Sequence, residues 1–138
     1  MITRSPRFLL ALGLAALACG CETDNPVRTP RTIQTYVLST GHPQPDVEME
    51  LVCAVHVVLP GPEAGSGLVW EIAANNVKVL EQMGPLKVET AADGAVTTSV
   101  SFFSLRPGWS TLRFFLVHPN QAETVPVATC SIAVRVRE

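Results

Sequence analysis

Residues 102–119 read FFSLRPGWSTLRFFLVHP, two apolar runs joined at Arg106-Pro107-Gly108-Trp109. Proline presets one backbone dihedral at that junction and glycine relieves the next, so the chain reverses there. Past the corner, Leu112, Phe114 and Leu116 alternate with Thr111 and Arg113, the rhythm of a half-buried strand. Two such runs are not stable alone in water. The rest of the chain must supply the surface they pack against.

The flanking sequence repeats this pattern. Strands are expected over Thr32–Leu38, Val47–Leu59 and Leu68–Ile72, with a turn at Gly41–Pro45 and a loop at Pro60–Gly67. The segment Ala73–Leu80 would also suit a helical face, but a turn at Asn75-Asn76 and a short strand through Val79 is the preferred reading. Leu86–Thr90 is a further strand, Asp93-Gly94 a tight-turn signal, and Val96–Leu105, Thr111–Val117 and Val127–Arg137 complete the set. The 138 residues are 47% hydrophobic and 16% charged, with 11 Pro and 9 Gly. This is one domain's worth of chain, and Pro, Gly, Val and Thr favour strands over helices. The expected fold is all-β: an immunoglobulin-like antiparallel β-sandwich of seven to eight strands around a buried Trp70.

That domain occupies residues 32–138. At the N-terminus, Arg4 and Arg7 precede the uncharged, Leu- and Ala-rich run Phe8–Leu17. Such a run is too short to span a bilayer and fits the hydrophobic part of a secretory signal peptide. Leu17-Ala18-Cys19-Gly20-Cys21 resembles the lipobox of bacterial lipoproteins, in which a cysteine after small residues is cleaved and acylated. The resemblance implies a signal peptide over 1–20, lipidation of Cys21 (Cys19 is the alternative) and a polar tether over 21–31. It also implies export and lipid anchorage to the bacterial cell envelope, at the outer membrane. The alternative is an ordinary secreted protein cut nearby.

Loss of Cys19 with the signal leaves Cys53 and Cys130 in the domain. Cys53 shares a phase with Val47, Met49, Leu51, Val55 and Val57, and Cys130 with Ile132, Val134 and Val136. Both thus face inward, and export permits a disulfide between them in preference to two free buried thiols. A bridge closing so long a loop would stabilise by about 4 kcal/mol.

Function classes narrow from the same residues. Without Arg4 and Arg7 the chain holds 8 basic against 12 acidic residues and no basic stripe, which argues against nucleic acid as a partner. His42, His56 and His118 fall in separate elements, so no metal site is expected, and no cofactor motif is present. Ser66, Ser99, Ser101 and Ser104 lack an evident base, so the chain does not read as an enzyme.

Leu59-Pro60, a Gly-containing loop and Gly67-Leu68-Val69-Trp70 together resemble the chagasin family of cysteine-peptidase inhibitors. Phe102–Leu105, Pro107-Gly108, Thr111-Leu112 and Val117-His118-Pro119-Asn120 follow that family's last strands in order, ending in Thr129–Val136. The similarity spans Val47 to Arg137. It implies a non-enzymatic blocker whose three loops, at one end of the sandwich, enter the cleft of a papain-like cysteine peptidase. The corresponding loops here are Pro60–Gly67, with Pro62, Glu63, Ala64, Gly65, Ser66 and Gly67; Ala91–Gly94, with Asp93 and Gly94; and His118–Glu123, with His118, Pro119 and Asn120. Gly65 and Gly67 would let backbone approach the cleft, and Pro119 would stiffen the third loop. The first loop lacks the family's Thr pair, and the third lacks its Arg and Trp. Trp109 belongs to a corner at the opposite end.

Two other functions suit the same scaffold. One is an immunoglobulin-like adhesion or assembly module. The other is a carbohydrate-binding module with Trp109, Phe103 and Phe115 as an aromatic platform.

Overall fold

The computed structural model describes residues 28–42, 44–63, 65–120 and 125–138. The signal peptide, both candidate lipidation cysteines, tether residues 21–27, Ala64 and residues 121–123 of the third loop lie outside that set. Among the described residues there are nine strands: β1 (Ile33–Val37), β2 (Val47–Glu50), β3 (Ala54–Pro60), β4 (Val69–Ala74), β5 (Leu80–Gln82), β6 (Lys87–Thr90), β7 (Val96–Ser104), β8 (Gly108–Val117) and β9 (Ala128–Arg137). One sheet runs β1-β3-β7, with β5 and β6 both on the far side of β7; the other runs β2-β9-β8-β4. The all-β sandwich is as expected. Its strand count is higher, and β1–β3 and β2–β9 pair in parallel within otherwise antiparallel sheets.

The extra strand comes from Val47–Leu59, which is not continuous. The chain turns at Leu51-Val52, with Val52 at φ 62°, and passes from β2 on β9 to β3 on β7. Ser104, 1% exposed, stitches this crossing: its hydroxyl donates to the Glu50 carbonyl (2.8 Å) and accepts from the Cys53 amide (3.1 Å). Apolar alternation survives the break because Val47 and Met49 point into the core from one sheet and Val55 and Val57 from the other.

The Arg106-Pro107-Gly108 corner also joins the two sheets. β7 and β8 share no ladder; they face each other across the core, where the fully buried Phe102 and Phe114 rings lie 6.5 Å apart at 60°. That tilted geometry is favourable for an aromatic pair. Gly108 is required here, because its φ is 145° and an added Cβ would stand 3.0 Å from Val79 Cγ2. The turn expected at Asn75-Asn76 lies instead over Val77–Val79, where a short strand was expected, and the strand that follows starts at Leu80. Amides of Val79 and Leu80 both donate to the Asn76 carbonyl.

The expected Cys53–Cys130 disulfide is absent: both cysteines are buried and free. Phase placed each side chain inward correctly but says nothing of height along the sandwich. Cys53 is tied through Ser104 to Glu50, which pairs with Arg137 at the end of β9. Cys130 is seven residues back along that strand, beside Phe114, which is about 23 Å at the usual strand rise. A disulfide needs Cα atoms within about 7 Å. Thr32 Oγ1 instead donates to Cys53 Sγ at 3.2 Å, and burial pushes the Cys130 thiol pKa up by desolvation.

All strands among the described residues fall between residues 33 and 137, and their buried core runs from Leu38 to Val136. Residues 22–138 therefore contain every described strand and the whole described core.

Candidate functional site

Strand register gathers three connections at one pole. Pro60, where the first loop leaves β3, pairs with Thr97 near the start of β7, just after the second loop. Val69, where the first loop rejoins the sheet, pairs with Val117, from which the third loop departs. Leu116 pairs with Ala128, so the third loop returns to the same end. This clustering follows from topology and needs no disulfide.

The first loop is anchored from below. Trp70, 5% exposed, donates its indole N–H to the carbonyls of Pro60 (2.8 Å) and Gly61 (3.0 Å). Gly61 lies so close to β7 that an added Cβ would stand 3.2 Å from the Val96 carbonyl oxygen. Further along, the Ser66 amide donates to the Glu63 carbonyl and the Leu68 amide to Ser66 Oγ. Gly65 and Gly67 both take left-handed φ values, near 80° and 76°, that other residues rarely adopt.

The second loop is a closed turn. The Gly94 amide donates to the Ala91 carbonyl, the Ala91 amide to the Ala95 carbonyl, and the Ala95 amide to Asp93 Oδ1. Asp93 is thus occupied in shaping the turn, and Gly94 supplies its φ of 90°. In the third loop His118, Pro119 and Asn120 are exposed, and the Val127 amide closes the base by donating to the Leu116 carbonyl.

Between the first two loops lies an open cleft of about 700 Å³. Pro62, Glu63 and Ser66 line one side, Gly94 the other, and Trp70 the floor. Gly65, Gly67 and Asp93 are exposed on the same pole without lining it, and His118–Asn120 stand beside it on the strand end that also supplies Leu116 to its wall. Ala64 is outside the described residues. Trp70 as the clamp of the first loop is the feature that pattern reading missed; ten residues after Pro60, it was legible only as a core aromatic.

The aromatic platform does not form. Phe103 lies on one sheet, paired with Ala54 and Glu81, while Trp109 and Phe115 lie on the other. Trp109 is at the far pole, as expected, with the Arg135 guanidinium over its ring.

No family model matches the sequence, and no curated protein matches it significantly. Solved structures do match. The cysteine protease inhibitor EhICP2 from Entamoeba histolytica aligns over 78% of this chain and 99% of its own, at 13% identity and a TM-score of 0.63. Amebosin aligns over 78% and 99%, at 10% identity and 0.57. PbICP-C, solved in complex with falcipain-2, aligns over 83% and 96%, at 12% identity and 0.50. At such identities the likeness is one of fold, and this chain has the immunoglobulin-like sandwich that its resemblance to chagasin implies, similar in architecture to solved cysteine protease inhibitors.

Proposed function

We propose that the chain is a non-enzymatic inhibitor of papain-like cysteine peptidases, held at the bacterial cell envelope by a lipid on Cys21. The observation that carries the reading is the convergence of three loops at one pole, with the first clamped by Trp70 and the second closed on itself. A papain-like peptidase acts through a thiolate that must reach a substrate carbonyl, so a rigid projection seated in the cleft blocks it without chemistry of its own. Loops already fixed lose little entropy on docking, which favours tight binding. Similarity of fold to EhICP2 and to PbICP-C, the latter seen with falcipain-2, supports the same reading.

Loop exchange tests it. Replacing residues 62–66 with a Gly-Ser segment of equal length removes inhibition of papain while leaving the melting temperature nearly unchanged. Full inhibition by that variant rejects the loop assignment. For the anchor, Cys21→Ser abolishes incorporation of labelled palmitate and Cys19→Ser retains it; the reverse pattern assigns the lipid to Cys19.

A further inference from the structure

The pole opposite the loops has a different surface chemistry. Trp109 opens β8 there with half its surface exposed, and Arg135, its cross-strand partner on β9, holds a guanidinium 5.7 Å from the ring centroid. Arg106 and Pro107 are exposed at the adjacent corner. Asn76 Nδ2 donates to the Trp109 carbonyl, which brings the Val77-Lys78 turn alongside, with Val77 70% exposed. Across the pole, Arg31 is bound through its amide to the Val52 carbonyl and through its guanidinium to the Leu51 carbonyl.

Charge divides between the two ends. Ion pairs among the described residues join Arg28 to Glu81 and Arg137 to Glu48. Arg31, Lys78, Arg106 and Arg135 are in neither, while Glu50 and Glu138 are the other carboxylate side chains of this end among the described residues. The loop pole instead carries Glu63, Glu89 and Asp93. An exposed indole beside cations outside the ion pairs of the described residues, Arg135 among them although Glu48 faces it across the β2–β9 ladder, suits a phospholipid interface: the ring sits at headgroup level, and the long cationic side chains reach phosphate oxygens. The described chain also enters here, at Arg28–Arg31, and Cys21 precedes Arg28 by seven residues, a reach of about 24 Å when extended.

We propose that this pole docks on an anionic phospholipid surface and so holds the loop cluster facing away from the bilayer. The proposal shares the envelope location of the preceding reading but not its peptidase. Residues 22–138, which lack Cys21 and any lipid, are mixed with vesicles of phosphatidylcholine alone or of phosphatidylcholine with phosphatidylglycerol and separated by flotation. The protein floats with the anionic vesicles, is released by high salt, and shows a blue shift in tryptophan emission that Trp109→Leu removes. Arg106→Gln and Arg135→Gln each lower partition about five-fold, whereas Lys87→Gln, on the β6 edge away from this pole, does not. Equal binding to both vesicle types, no binding to the anionic ones, or an equal loss in Lys87→Gln overturns the proposal. Papain inhibition by the same variants is unchanged, so failure of docking and failure of inhibition are read separately.

Discussion

The indole nitrogen of Trp70 donates to the carbonyl oxygen of Pro60 at 2.8 Å, so a side chain that fills the core also fixes where the first loop leaves β3. Core packing and loop position are therefore one constraint at this pole. The Gly61 carbonyl, accepting from the same N–H at 3.0 Å, extends the hold one residue into the loop.

Trp70→Phe keeps most of the apolar burial and removes the donor. Two carbonyls lose their partner, and stability falls by about 2 kcal/mol. Hydrogen exchange quickens at residues 61–68 but not at residues 91–95, and inhibition weakens more than the stability loss explains. Unaltered exchange in the first loop would show that the clamp does not set its position.

Free thiols at Cys53 and Cys130 predict that reductant leaves the melting temperature of residues 22–138 unchanged and that both thiols react with Ellman's reagent once the protein is unfolded. A bridge between them would make reduction lower the melting temperature by about 20 °C.

Burial raises the Cys130 pKa above its ordinary value of 9.0. The folded state then holds this proton more tightly than the unfolded state does. Its contribution to stability is complete below pH 9 and declines as pH rises from there through the raised folded value. Denaturation at stepped alkaline pH measures the slope. Cys130→Ala flattens it, and an unchanged slope in that variant would assign the alkaline loss to other groups.

Val52 holds φ 62°, a left-handed conformation that is costly for a β-branched residue. Val52→Gly relieves that cost and gives back part of the gain through a more flexible unfolded chain. The net expectation is about 1 kcal/mol of added stability, read from urea unfolding. A loss of stability would mean that the Val52 side chain contributes more by packing than its backbone costs.

Much of the sandwich was legible because its inward positions alternate. Val55, Val57, Leu112, Phe114, Ile132 and Val134 were all placed on the buried side by period alone, and they are buried. The break at Val52 was not legible, since no glycine, proline or asparagine marks it, and the alternation runs through unbroken from Met49 to Val55. What turns the chain there is the Ser104 hydroxyl, 54 positions from Glu50, a contact that local pattern cannot report. The Cys53–Cys130 expectation failed for a related reason: period two fixes the face of a strand but not the level at which two side chains meet. The reversal at residues 106–108 is legible in Pro107-Gly108, while its crossing between sheets depends on which neighbours β7 and β8 find. The composition of residues 60–67 and the Asp93-Gly94 pair mark two of the loops in the sequence, and Gly65, Gly67 and Gly94 take the left-handed φ values such loops use. That all three share one pole required the pairing of Pro60 with Thr97 and Val69 with Val117.

Titration of papain with residues 22–138 tests the inhibitory reading most directly. The three-loop pole predicts a progressive loss of peptidase activity that reaches completion near equimolar inhibitor and recovers slowly on dilution. Full papain activity at micromolar concentrations of the domain, with its far-UV spectrum showing a folded β protein, would contradict it.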